Sequence, residues 1–271
     1  MDKSARDFTT ISVEKRTGVD IVSLNRPDAL NAVSATMLAE LTAYLTSLYD
    51  DLDTRVVILR ANGRAFCAGA ELSPEVFAAP GEGRAKRQFQ MQQRFSGIVR
   101  LMRSCPQPIV ALIHGAACGA GFSLALASDV RFASPQARMN AAYIRVGVGG
   151  CDMGSGYLLP RLVGVSVASE LLLSGRFIEA ERARVVGLVS DVVPEDQLLE
   201  TGLAFAADLM RASPMGLRFT KQTLNALIDA PSLETALALE DRQQVILLET
   251  SDHHEAVAAF REKRPPVYRD Q

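Results

Sequence analysis

Two stretches of this chain set an apolar run against a block of residues too small to cover their own backbone. The first has Arg55-Val56-Val57-Ile58-Leu59, then Ala65-Phe66-Cys67-Ala68-Gly69-Ala70-Glu71-Leu72. The second has Pro108-Ile109-Val110-Ala111-Leu112-Ile113, then His114-Gly115-Ala116-Ala117-Cys118-Gly119-Ala120-Gly121. Each apolar run reads as a buried strand. Small residues after a strand let a ligand approach the main chain, and the N–H groups at the start of a following helix have no partner inside it. Two such groups converging on one oxygen make an oxyanion hole.

The rest of the pattern predicts an α/β protein. Residues 11–16 alternate as a half-exposed strand, Gly18 turns into a second strand at 20–24, and Pro27-Asp28 breaks the run. From Ser34 the leucines Leu38, Leu41, Leu45 and Leu48 recur at helical spacing. Helices are predicted at 84–104 and 120–128, and strands at 130–133 and 188–193. After Pro194 the chain turns helical, at 195–212, 214–225, 232–250 and 252–263, punctuated by Pro214, Pro231 and Pro265. Leu233, Leu237, Val245, Ile246 and Leu248 leave more apolar surface there than one helical layer hides. No sequence repeat is detectable.

Composition excludes several classes. A length of 271 residues suits one large domain or two small ones, and 48% hydrophobic content supplies a core. A formal net charge of -2 offers no general attraction for nucleic acid or an anionic membrane. Residues 1–7 are polar and lack a signal peptide's apolar core, and no apolar run approaches the ~18 residues of a membrane span. Cys67, Cys105, Cys118 and Cys151 form no CxxC pair, and two of the three histidines are adjacent, so no metal site is expected. Reduced thiols and a cytoplasmic location are the expectation.

Six blocks stand in order along the chain. They are Leu24-Asn25-Arg26-Pro27-Asp28-Ala29-Leu30-Asn31-Ala32, Phe66-Cys67-Ala68-Gly69-Ala70-Glu71-Leu72, Gly119-Ala120-Gly121, Ala127-Ser128-Asp129-Val130-Arg131, Pro160-Arg161-Leu162-Val163-Gly164 and Phe260-Arg261-Glu262-Lys263-Arg264-Pro265. In these the chain resembles the crotonase superfamily, the enoyl-CoA hydratase/isomerase family, over nearly its whole length. The resemblance implies a crotonase-like α/β fold, a spiral of ββα units over residues 1–200. A C-terminal helical trimerisation region over 201–271 would then join copies into a homotrimer or hexamer. It implies an acyl-CoA thioester as substrate, with coenzyme A part of that substrate and no separate cofactor. The implied oxyanion donors are the N–H groups of Ala70 and Ala120, which suit a thioester carbonyl becoming an enolate. Implied CoA contacts are Arg26, Ala29 and Leu30 at the nucleotide and pantetheine, and Ala68, Glu71 and Leu72 along the thioester arm. Phe260 and Lys263 would reach the adenine and its phosphate from a neighbouring subunit.

The chain departs from the family at its acid/base groups. Hydration of a conjugated thioester commonly uses two carboxylates, and the two family glutamate positions fall on Ser123 and Tyr143. Asp152 matches, with one inserted residue after Gly147, a loop where dienoyl-CoA isomerases and aromatic-CoA dehalogenases carry a working aspartate. Asp152 also reads as an N-cap for a helix starting near Met153. The candidate catalytic set is therefore Asp152, with Ser123 to orient water and Tyr143 to donate a hydrogen bond. One base suits a double-bond shift better than water addition. The competing readings are a catalytically silent acyl-CoA binder and a thioester hydrolase or dehalogenase. A short-chain dehydrogenase, suggested by GxxxGxG at Gly115–Gly121, is disfavoured because Tyr143 is followed at four residues by Gly147 rather than Lys. His114, His253 and His254 read as structural, Arg84, Lys86 and Arg87 as a solvated face, and Val76 and Phe77 as the border of the acyl pocket.

Overall fold

The computed structural model describes residues 8–77 and 81–271; the polar amino-terminal stretch 1–7 and residues 78–80 lie outside it. In chain order the elements are β1 (Ile11–Arg16), β2 (Val19–Leu24), α1 (Ala35–Ser47), β3 (Val56–Ala61), α2 (Arg84–Ser104), β4 (Ile109–Ile113), β5 (Ala116–Cys118), α3 (Ala120–Ala127), β6 (Val130–Ala133) and β7 (Arg138–Asn140). They continue with α4 (Ser155–Ser174), β8 (Ile178–Glu179), α5 (Ala180–Val185), β9 (Asp191–Val192), α6 (Leu198–Leu209), α7 (Pro214–Leu227), α8 (Leu233–Leu248) and α9 (Ser251–Glu262).

The main sheet has the order β1-β2-β3-β4-β6-β9, antiparallel between β1 and β2 and parallel beyond. Its central strands are buried on both faces, as parallel strands covered by helices on each side must be. Alternation sorts their side chains. Val22, Leu24, Val57, Leu59, Ile109, Ala111 and Ile113 pack with α1, α2 and α3, while Val19, Ile21, Val56, Ile58, Val110 and Leu112 pack with α6 and Leu217. Each large apolar side chain so buried contributes about 1.5–3 kcal/mol by leaving water. Helix α1 starts where Ser34 accepts the Met37 N–H, and it buries Met37, Leu38, Leu41, Tyr44 and Leu45 along one stripe.

Three expectations change. A second sheet, β5-β7-β8, which the sequence pattern did not predict, is built partly from the small-residue block itself, since Ala116–Cys118 is a strand. The strand predicted at 188–193 shrinks to Asp191–Val192, because Leu188 and Val189 donate back to Ala183 at the end of α5. Helix α4 does reach the length and apolarity of a membrane span, with mean hydropathy 1.3. Gly164, at φ 77 and ψ 159, breaks it into two shorter pieces, and Leu158, Leu159, Ala168, Leu171 and Leu172 bury themselves in the protein.

Candidate active site

The two small-residue blocks leave the sheet side by side. Phe66 N donates to His114 O, Cys67 N to Ala116 O and Cys118 N to Cys67 O, at 2.9–3.0 Å. On its other side the first block is held by the loop after β2: Ala68 N donates to Leu30 O, Val33 N to Gly69 O and Glu71 N to Val33 O. That loop keeps its shape through Asn31, fully buried with φ 55. Its side chain accepts the Arg26 N–H and donates to the carbonyls of Asn62 and Ala65.

These bonds fix the direction of one N–H. The Gly69 carbonyl accepts from Val33, and no peptide bond in the described chain is cis. In a trans peptide the carbonyl and the following N–H point opposite ways. The Ala70 N–H therefore faces away from Val33, toward the start of α3. Gly69 has φ +115, and a Cβ there would lie 3.2 Å from Cys118 O and 3.9 Å from the Ala120 nitrogen. The same logic applies at Ala120, the first residue of α3. The Gly119 carbonyl accepts from Ser123 N, so the Ala120 N–H points out of the helix start. Neither N–H has an acceptor among the described residues. Helix α3 is buried along its whole length and has no side-chain cap, leaving its N-terminal end to a ligand. It seats against the first block only because residue 121 is glycine: a Cβ there would stand 2.4 Å from Cys67 O.

Ser123 and Tyr143 come together behind this end of α3, 0% and 7% exposed. The Tyr143 hydroxyl donates to the Gly119 carbonyl at 2.6 Å and is hydrogen-bonded to Ser123 Oγ. Tyr143 has one proton, given to Gly119, so Ser123 donates to Tyr143 and shares that single proton with the more distant Asp152 carbonyl. Burial pushes the Tyr143 hydroxyl well above its usual range, holding it protonated.

Asp152 lies beside the pair, its carbonyl 3.3 Å from Ser123 Oγ. It is half-buried and does not cap α4, whose N-cap is Gly154. The reason is local. Met153 sits at φ 44, and this turn aims its N–H back at Asp152 Oδ1 at 2.7 Å. The same Oδ1 accepts from Gln92 Nε2 on α2. Oδ2 has no partner among the described residues.

Other candidates are placed as follows. Arg26 donates to Glu71 at 2.7 Å and to Ala32 O at 2.6 Å. Ala29 and Leu30 are half-buried in the loop that holds the first block, Ala68 is exposed and Leu72 is 74% exposed. Phe260, 85% exposed, and Lys263, the left-handed cap of α9, are not brought to this site within the single chain. His114 is buried and bonded to Gly63 O, a satisfied core histidine. Burial pushes the Cys67 thiol to about 12, leaving it unreactive. Val76 lines a cavity of about 350 Å³ with Pro74, Glu75, Met91 and three polar residues of α2. Among the described residues no cluster suited to a metal ion occurs.

The family model for enoyl-CoA hydratase/isomerase matches residues 14–271. The chain belongs to the enoyl-CoA hydratase/isomerase family. It is 39% identical over 261 residues to the Mycobacterium leprae protein named probable enoyl-CoA hydratase echA12, covering 94% of this chain and 88% of that one. It is 33% identical over 266 residues to the 1,2-epoxyphenylacetyl-CoA isomerase of Escherichia coli, covering 97% and 98%. The crystal structure of an enoyl-CoA hydratase from Bacillus anthracis superposes with a TM-score of 0.90 at 34% identity, covering 97% of this chain and all of the other. The fold is the crotonase fold. Of the residues gathered here, the sequence pointed to Ala70, Ala120, Ser123, Tyr143 and Asp152 but not to Gln92 or to the hydrogen bonds of Asn31. Asn31 stood inside a quoted block, so its position was visible though its bonds were not.

Proposed function

We propose that this member of the family is an enoyl-CoA isomerase that shifts a double bond through a thioester enolate, with Asp152 as its acid/base group. One observation carries the reading. At the positions of the two family glutamates stand hydroxyls whose protons are committed inside the protein, and the adjoining residue is Asp152, whose backbone carbonyl meets Ser123 and whose charge acts on Tyr143. The thioester oxygen sits between the N–H groups of Ala70 and Ala120. Asp152 Oδ2 takes a proton from C2 of a 3-enoyl thioester, and the C–H electron pair moves onto the carbonyl oxygen, giving a dienolate. The two backbone donors stabilise that charge. The same carboxyl then returns the proton at C4, so the double bond moves from C3–C4 to C2–C3 with no atom gained or lost. The acyl chain extends toward the cavity at Val76 and Met91, and the Arg26–Glu71 pair, Ala29, Leu30, Ala68 and Leu72 border the CoA arm.

Hydration, the activity in the name of the Mycobacterium leprae relative, needs a second group to activate or deliver water. Assays with a 3-enoyl-CoA, a dienoyl-CoA and crotonyl-CoA decide between them. Wild type is expected to turn over the 3-enoyl or dienoyl ester faster than it hydrates crotonyl-CoA. Asp152→Asn keeps the shape and the Met153 contact while losing basicity. Its kcat should fall by about 10²–10⁴ with unchanged melting temperature and ester affinity. Unchanged turnover would remove Asp152 from the mechanism, and tight calorimetric binding without turnover of any ester would make the protein a binder.

Residues 201–271 are proposed to join copies into a trimer or hexamer, placing Phe260 and Lys263 on a neighbour's CoA. Support comes from α8, which buries no residue in the single chain. Four free cysteines fit a cytoplasmic location.

A further inference from the structure

The two residues that replace the family carboxylates are neither idle nor placed to move substrate protons. Their shorter hydrogen bonds run in one direction: Ser123 donates to Tyr143, sharing its proton with the Asp152 carbonyl at 3.3 Å, Tyr143 donates to the Gly119 carbonyl, and the Gly119 carbonyl belongs to the peptide whose N–H is that of Ala120. We propose that Tyr143, braced by Ser123, is a positioning residue for the oxyanion hole, holding and polarising the Gly119–Ala120 peptide from behind. This rests on the reading of Ala70 and Ala120 as oxyanion donors.

The physical argument has two parts. The first is orientation. Gly119 has φ 50 and ψ -115, outside the helical region, and α3 has no side-chain cap. The Ser123 N–H alone would leave the Gly119 carbonyl free to rock, and with it the N–H on the far side of the same peptide plane. A second donor at 2.6 Å pins the carbonyl at another angle, and the ring that carries this hydroxyl is itself buried in the core. The second part is polarisation. A hydrogen bond accepted by a peptide carbonyl draws electron density toward oxygen and makes the N–H of that peptide a stronger donor. Chains of hydrogen bonds strengthen one another by roughly 10–30% per bond. The chain here ends on the N–H that would receive the enolate oxygen.

A carboxylate in place of Ser123 or Tyr143 could act on substrate, but it could not donate to the Gly119 carbonyl while ionised. This chain has therefore exchanged two proton-transfer groups for a stiffer backbone donor and left proton transfer to the neighbouring loop. Tyr143 stays a donor throughout the working pH range because burial keeps it protonated.

The test uses a chromophoric ester, 2,4-hexadienoyl-CoA, whose absorption moves to the red when its thioester carbonyl is polarised by hydrogen bonds. Wild type, Tyr143→Phe, Ser123→Ala and Asp152→Asn are each saturated with it, and kcat and KM are measured with the turned-over substrate. Tyr143→Phe keeps the ring and removes only the donor. Its red shift should shrink and its kcat fall by roughly tenfold, less than the ~10²–10³ for losing an oxyanion donor outright, with KM little changed. Ser123→Ala should show a smaller loss of both, because the bond from Tyr143 to Gly119 survives. Asp152→Asn should keep the full shift while losing turnover. A full red shift in Tyr143→Phe overturns the inference, whether or not kcat falls, since any loss would then arise in proton transfer. No red shift in wild type overturns the oxyanion reading beneath it. Melting temperatures of the variants separate either result from unfolding.

Discussion

Asp152 is gripped from outside its own loop. Gln92, on α2, donates to the same Oδ1 that accepts the Met153 N–H, so one carboxylate oxygen is saturated and Oδ2 is left to carry a proton. Gln92→Met keeps the length and helix preference of the side chain but removes the donor. It is expected to lower kcat by about three- to tenfold with KM unchanged, as the carboxylate loses its fixed orientation. The double variant with Asp152→Asn should be no slower than Asp152→Asn alone, since residues acting through one group are not additive. Full additivity would place the effect of Gln92 elsewhere. Asp152 was legible in the sequence because its glycine-rich loop carries a recognisable spacing. Gln92 was not, because the pair is 60 residues apart and only the packing of α2 against the Asp152 loop brings them together. Asn31 is intermediate. Asn31→Ala would leave the Asn62 and Ala65 carbonyls and the Arg26 N–H without partners, at a cost of about 2–4 kcal/mol, read as a fall in melting temperature.

At the scale of elements, long helices were legible with a side-chain cap and without one, as the uncapped α2 and α3 show. Helices α1, α7, α8 and α9 begin at Ser34, Ser213, Ser232 and Thr250, whose side chains accept from the first turn, and the predicted starts fall within two residues of these. The second sheet was not legible, because strands of two or three residues carry no periodicity to read. Its consequence is the tight seat of α3 against Cys67. Gly121→Ala would drive a methyl to 2.4 Å from the Cys67 carbonyl, where neither backbone can yield cheaply. Overpacking of this kind costs about 1–3 kcal/mol, and the shift of α3 should also lower kcat by about 10² or more. Gly97, within α2, makes the contrast. A Cβ there meets nothing nearer than 3.8 Å, so Gly97→Ala should raise stability by about 0.5–1 kcal/mol with turnover intact. Equal effects of the two substitutions, measured by thermal unfolding and steady-state assay, would remove the special status of the α3 seat.

At the scale of the whole molecule, the single chain leaves one helix unfinished. Leu233, Leu237, Val245 and Leu248 of α8 are all exposed, and at 3.6 residues per turn they fall within about a third of the helix circumference. A stripe of that width normally faces a core. Here α8 meets α7 and α9 on its flanks, and its apolar side is uncovered. Association of copies through these helices would hide it, and would bring the exposed Phe260 and the neighbouring Lys263 of one copy toward the Arg26–Leu30 loop of the next. Wild type should then sediment as a trimer or hexamer at micromolar concentration. Leu237→Asp combined with Leu248→Asp places two charges in the covered stripe and should yield a monomer, because burying an unpaired charge is prohibitive. Leu52→Asp, on a residue 58% exposed beyond the end of α1, should leave the assembly whole. The monomer should also bind an acyl-CoA more weakly by at least tenfold, having lost the neighbour's aromatic and ammonium groups. A monomeric variant with undiminished affinity would confine the CoA site to one chain and remove Phe260 and Lys263 from it, and a monomeric wild type would remove the assembly as well.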